Sequence, residues 1–132
     1  MFLITGASGG IGAATARAAA QAGYRVVLAA RRPGPLRALA AELGGPARAL
    51  AVSCDVADWS QLEHLVRETT GRLGRLDVAF ANAGISAGTS FLGPGGLPPQ
   101  RWPELVGVNV LGPALTARAV LPHLARPAGT CC

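Results

Sequence analysis

The chain has 132 residues, half of them hydrophobic, with 12 basic and 7 acidic residues and a formal net charge of +5 at pH 7. That length and apolar content suffice for one domain with a core of its own and fall short of two. Every basic residue is Arg, and these are scattered over the chain without interleaved aromatics, which argues against a nucleic-acid partner despite the positive charge.

Met1-Phe2-Leu3-Ile4 is too short and uncharged for a signal peptide, and no run of eighteen apolar residues is free of polar interruption. The sequence therefore predicts a soluble, cytoplasmic protein with no membrane partner. Cys54 ends an apolar run and Cys131-Cys132 are adjacent, so the cysteines form neither a spaced disulfide framework nor a four-ligand zinc pattern. No metal site is expected.

Phe2 to Thr5 reads as a short strand entering a glycine cluster, and Ala13 to Ala20 as an Ala-rich helix stopping near Gly23. Arg25 to Ala29 is a second strand. Arg32 to Leu43 is a helix opened by Pro33 and Pro35 and closed by Gly44-Gly45, and Ala49 to Cys54 is a third strand. Trp59, Leu62, Leu65, Val66 and Leu73 then mark one face of a helix, with Asp58 as its N-cap and Gly74 as its stop. Asp77 to Ala81 is a fourth strand. The Gly/Pro-rich stretch from Ser86 to Pro99 is a loop, and Arg101 to about Leu124 is helical, with a kink expected at Pro113.

This alternation predicts an α/β fold: a Rossmann-like, doubly wound parallel sheet with helices on both faces and right-handed crossovers. Four strands would supply the order 3-2-1-4, with the later strands of such a sheet absent. The chain would then be one nucleotide-binding domain, incomplete at its C-terminus.

Thr5-Gly6-Ala7-Ser8-Gly9-Gly10-Ile11-Gly12 falls where the first strand becomes a helix. Glycines there permit a tight turn and close approach of the backbone to a pyrophosphate, which the helix N-terminus then stabilises. Gly6, Ser8, Gly9, Gly10, Ile11 and Gly12 are thus candidate cofactor-binding residues. An acid at the end of the second strand would bond the ribose 2′-hydroxyl of NAD, but Glu42 is the first acid in the chain. The strand instead ends in Arg31-Arg32, and forked guanidinium groups suit a 2′-phosphate. NADP is accordingly expected in preference to NAD; the alternative is that the two arginines only solvate a loop.

Together with Asp55-Val56, Asn82-Ala83-Gly84 and Asn109 in the following helix, the glycine motif resembles that of the short-chain dehydrogenase/reductase family across nearly the whole chain. Ala81 departs from the pattern, which more often has a second Asn there. The resemblance implies that Asp55 and Val56 flank an adenine, that Asn82, Ala83 and Gly84 line the cofactor groove, and that Asp77 braces the strands beside it. The alternative for Asp55 is a simple turn or cap residue. Asn109 would shape a helix kink and hold a water in a proton relay to a catalytic Lys; alternatively, its amide is satisfied by a neighbouring carbonyl.

The family transfers hydride between NADP(H) and a small-molecule carbonyl or alcohol, using a Tyr acid/base, a Lys that lowers its pKa and a substrate-orienting Ser. None can be assigned here: the chain has no Lys, and its single Tyr, Tyr24, reads as structural. The resemblance thus implies an oxidoreductase whose catalytic half is missing, inactive as it stands, with a non-catalytic NADP-binding or interaction module as the alternative. Apolar residues left in water would make it marginally stable or association-prone. The family usually pairs through the Arg101 to Leu124 helix and a second one, so a homo-oligomer is possible.

Overall fold

The computed structural model describes residues 1–86 and 96–124; Cys131-Cys132 and most of the predicted loop before Pro99 lie outside them. In chain order the elements are β1 (Phe2–Thr5), α1 (Gly10–Gln21), β2 (Val26–Ala30), α2 (Pro33–Glu42), β3 (Ala49–Ser53), α3 (Trp59–Leu73), β4 (Val78–Phe80), α4 (Trp102–Val106) and α5 (Gly112–Leu124). A π-helical turn, Gly107–Leu111, joins the last two. The four strands pair in parallel in the order β3-β2-β1-β4, with Ile4 opposite Leu28 on one side and Phe80 on the other.

Strand residues alternate between two cores because successive side chains of a strand point to opposite faces. Leu3, Val27, Ala29 and Val52 join Leu62, Leu65 and Val66 of α3 and Val108, Ala119 and Val120 of the last helical run. Ile4, Val26, Leu28 and Ala49 join Ala13 and Ala16 of α1 and Leu36 and Leu39 of α2. The doubly wound sheet expected from the sequence is therefore present, covered by α1 and α2 on one face and by α3 and α5 on the other.

Element ends follow local chemistry. Asp58 caps α3 as predicted, accepting from the backbone nitrogens of Ser60 and Gln61 at 2.9 and 3.3 Å, and Gly74 closes it in the left-handed conformation at φ 77. The Ser60 hydroxyl and the Gln61 side-chain amide, and then these backbone bonds, hold the Asp58 carboxyl below its ordinary pKa. Helix α1 starts at Gly10, three residues before the predicted Ala13, because the glycine turn itself supplies the first helical residues.

The irregularity expected at Pro113 takes the form of the π turn just before it. Pro113 has no N–H for the Asn109 carbonyl four residues back, so a regular helical ladder cannot run through this point. Pro122 also lies within α5, inside the helical span expected from Arg101 to about Leu124. Pro99–Leu124 is long and apolar enough to cross a membrane by length and composition, which qualifies the expectation that no segment could. In this fold the run buries Val108, Thr116, Ala119 and Val120 and leaves Val106, Val110, Leu111 and Leu121 exposed. Thr116 Oγ1 has no hydrogen-bond partner among the described residues.

Candidate functional site

The C-terminal ends of the four parallel strands open into a groove of about 690 Å³, where open α/β sheets hold ligands. Three turns form its floor: the glycine turn after β1, Arg31-Arg32 after β2, and Cys54-Asp55-Val56 after β3. Asn82 to Ile85, beyond β4, and Val108 of the π turn complete the wall. Gly6, Ser8, Gly9, Gly10, Ile11, Arg31, Arg32, Asp55, Val56, Asn82, Ala83 and Gly84 all line it, so twelve of the predicted site residues converge from four separate strand ends.

Gly12 does not line the groove but makes it possible. A Cβ there would stand 2.3 Å from the Gly6 carbonyl oxygen and 2.8 Å from Asn82 Nδ2, so only glycine lets α1 lie this close to the turn. Gly6 sits at φ +69, and its own Cβ would meet Ala83 Cα at 2.8 Å. By contrast, nothing lies within 4 Å of a Cβ placed on Gly9 or Gly10, at the mouth of the helix. The N-terminus of α1 has no side-chain cap and no acid in its first turn. Its leading backbone N–H groups, with their positive dipole end, therefore face open space in the groove.

The β4 side is fastened to β1 by a buried threonine. Thr5 Oγ1 accepts from the backbone nitrogens of Asn82 and Ala83 at 3.0 and 3.1 Å, and Asn82 Nδ2 donates to the Thr5 carbonyl at 3.1 Å. Thr5 thus positions Asn82-Ala83, a role the sequence reading missed. The available signal was a hydroxyl closing an apolar strand run, which burial obliges to find partners. Ala30, Cys54, Ile85 and Val108 also line the groove without having been singled out as site residues.

Asn109 is not among the lining residues. Its amide pairs with the backbone of Ile85 in both directions, accepting from the nitrogen and donating to the oxygen at 2.8 Å each. The side chain thereby ties the π turn to the segment after β4. Asp77 accepts from Arg75 and from the Met1 amino group, the latter joining β4 to the start of β1, and Arg75 first and then the amino group hold its carboxyl below the ordinary pKa.

Arg31 and Arg32 are the basic residues of the groove wall and Asp55 its single acid among the described lining residues. Asp55 Oδ1 accepts from the Ala57 backbone nitrogen at 3.0 Å, so this carboxylate holds its own turn as well as facing the groove. Arg31 reaches Glu104 of α4 at 3.3 Å. Burial, and then the neighbouring Asp55 and Asp58 charges, push the Cys54 thiol up to about 12, leaving it a neutral wall residue. Tyr24 packs edge-on against Phe2, ring centroids 5.7 Å apart, consistent with the structural role expected of it. No group of His, Cys, Asp and Glu among the described residues could hold a metal ion.

Comparison with known proteins agrees with this architecture. The sequence profile of the short chain dehydrogenase family matches residues 1–131. Meso-2,3-butanediol dehydrogenase of Serratia marcescens is 35% identical over 129 residues, covering 98% of this chain and 50% of that protein. The alcohol dehydrogenase of Thermococcus sibiricus, solved with 5-hydroxy-NADP, superposes with a TM-score of 0.84 at 35% identity, over 93% of this chain and 52% of that one. A 3-ketoacyl-(acyl-carrier-protein) reductase of Brucella melitensis, solved with NADH, gives 0.82 at 31% identity, over 92% and 49% respectively. The chain spans about half the length of the curated relatives it matches. With the profile matching almost end to end, and the glycine turn, the strand order and the Asn82 segment all in place, this chain belongs to the short-chain dehydrogenase family.

Proposed function

We propose that this chain is the nucleotide-binding portion of an oxidoreductase and that its groove takes NADP(H) in preference to NAD(H). The observation that carries this reading is the uncapped N-terminus of α1 opening into the groove between glycines without neighbours, with two arginines at the end of β2. A dinucleotide fits that arrangement. The α1 backbone N–H groups would hold the pyrophosphate, Arg31 and Arg32 would bond the 2′-phosphate in forked, charge-assisted fashion, and Asp55 and Val56 would flank the adenine. Asn82, Ala83 and Gly84 would line the far side of the groove, held there by Thr5.

When bound, the cofactor supplies a hydride for a small-molecule carbonyl or accepts one from an alcohol. Asn109 keeps the segment after β4 in register with the helix carrying it, and in the complete oxidoreductase it stands at the relay position. These 132 residues include no Lys and only Tyr24 as a tyrosine, so the chain by itself is expected to bind cofactor without turning it over. The exposed Val106, Val110, Leu111 and Leu121 favour self-association, which sedimentation at several concentrations would reveal.

Fluorescence titration with NADPH and NADH tests the reading. NADPH is expected to bind about tenfold more tightly, with the difference reduced by added salt because it rests on exposed charge. Equal affinities, or no binding by either nucleotide, would contradict the assignment. Steady NADPH oxidation by the purified chain with simple ketones would contradict the expected inactivity.

A further inference from the structure

We propose that Glu104 is a specificity-determining residue of the nucleotide groove: its carboxylate competes with a 2′-phosphate for Arg31 and so limits the preference for NADP(H) over NAD(H). The inference rests on the assignment of Arg31 to that phosphate.

Arg31 leaves the end of β2 with its main chain fixed, because its carbonyl accepts from Ser53 Oγ at 3.1 Å. Its side chain extends from this anchored point to α4, 73 positions along the sequence, where Nη1 meets Glu104 Oε1 at 3.3 Å. The other carboxylate oxygen, Oε2, is taken by Arg101, whose Nε and Nη2 stand 3.0 and 2.9 Å away. One carboxylate is thus shared between a guanidinium that lines the groove and one that does not. Arg101 holds it with two shorter contacts and Arg31 with one longer contact, so Arg31 is the looser partner and the one able to exchange.

A 2′-phosphate carries nearly two negative charges and three acceptor oxygens, and it outcompetes a single carboxylate for a guanidinium. To do so it must separate an existing pair and then stand near the remaining Glu104 charge. A nucleotide with a plain 2′-hydroxyl meets neither cost. Glu104 therefore weakens NADP(H) binding selectively, while Arg101 moderates the effect by neutralising the far oxygen. All three side chains are substantially exposed, so the effect is a few-fold and not orders of magnitude.

The test is a titration of the 132-residue chain with NADPH and NADH in the parent, E104Q, R101Q and R31Q, and in the E104Q/R31Q and E104Q/R101Q pairs. E104Q is expected to tighten NADPH by about two- to five-fold and leave NADH unchanged. R101Q should weaken NADPH, R31Q should abolish the E104Q gain, and E104Q should abolish the R101Q loss. If R31Q weakens NADPH but E104Q changes nothing, this proposal fails and the cofactor assignment stands. If R31Q leaves the NADPH preference intact, or neither nucleotide binds, both fail together. Weaker NADH binding in E104Q would place the carboxylate on the ribose hydroxyls and overturn the proposal, as would an R101Q loss that persists without Glu104.

Discussion

Replacing Gly12 with Ala adds one methyl group at the tightest contact of the site. The new Cβ would stand 2.3 Å from the Gly6 carbonyl oxygen, about 0.7 Å inside the 3.0 Å at which real Cβ contacts begin. The obstacle is backbone, so no side-chain rotation relieves it; either α1 or the Gly6 turn must move. Movement of the turn also displaces Asn82, whose Nδ2 would lie 2.8 Å from the same Cβ and which donates to the Thr5 carbonyl. Overpacking of this kind costs about 1–3 kcal/mol, and an unyielding backbone partner places the change near the upper end. For a domain of this size each kcal/mol lowers Tm by roughly 4 °C or more, so a loss of about 10 °C is expected. Thermal unfolding followed by far-ultraviolet circular dichroism measures it, and the Gly9→Ala variant is the control. Gly9 has extended backbone at φ 175 and nothing within 4 Å of its Cβ, so that variant should melt close to the parent while its methyl group crowds the mouth of α1 and weakens NADPH. A Gly12→Ala variant melting within a degree or two of the parent would refute the close-approach argument.

Thr5→Val keeps shape but removes the oxygen that accepts from Asn82 and Ala83; leaving these donors unpaired should cost about 1–3 kcal/mol and loosen the groove wall, seen as faster hydrogen exchange at both amides, whereas Thr5→Ser should retain most of the protection. Thr116→Val removes a buried hydroxyl without a partner among the described residues and is expected to leave stability unchanged or raise it by up to about 1 kcal/mol, measured by urea unfolding. In a C131S/C132S background, Cys54 should resist maleimide labelling at pH 8 in the folded protein, because its thiol titrates near 12 and is buried. The sign of the linked stability follows. The folded pKa lies above the unfolded value near 9, so the contribution is complete below pH 9 and is lost as pH rises toward 12, a slope that C54A should flatten. Asp58 works in the opposite sense: its folded pKa is depressed, so its share of stability is present above the unfolded value near 3.8 and disappears as the solution is acidified through the folded one.

Much of this protein was legible in one dimension. Alternating apolar runs and amphipathic stretches dictated strands and helices because burial on a sheet face or helix stripe has a fixed period. The glycines of the Gly6 to Gly12 turn, the Asp58 cap and the Gly74 stop act through neighbours a few residues away, so local sequence determines them. Strand order followed from the doubly wound pattern that alternating strands and helices adopt, and the convergence of Arg31, Asp55 and Asn82 followed from strand order.

Contacts between distant segments depended on the assembled sheet. The Thr5 hydroxyl could have met any buried donor until β4 was laid beside β1, which brought Asn82 and Ala83 to it. Asn109 faced two uses in the sequence, and the pairing of its amide with Ile85 depended on how the π turn lies against the segment after β4. The π turn itself reflects Pro113 acting on a carbonyl four residues back while Gly112 packs so closely on Val56 that a Cβ would come within 2.6 Å. The meeting of Arg31 with Glu104 needed β2 and α4 to converge at one mouth of the groove. Propensity and periodicity are local and repeat along the chain; a hydrogen bond or an ion pair across 73 residues depends on the three-dimensional path between its partners, which only the folded sheet supplies.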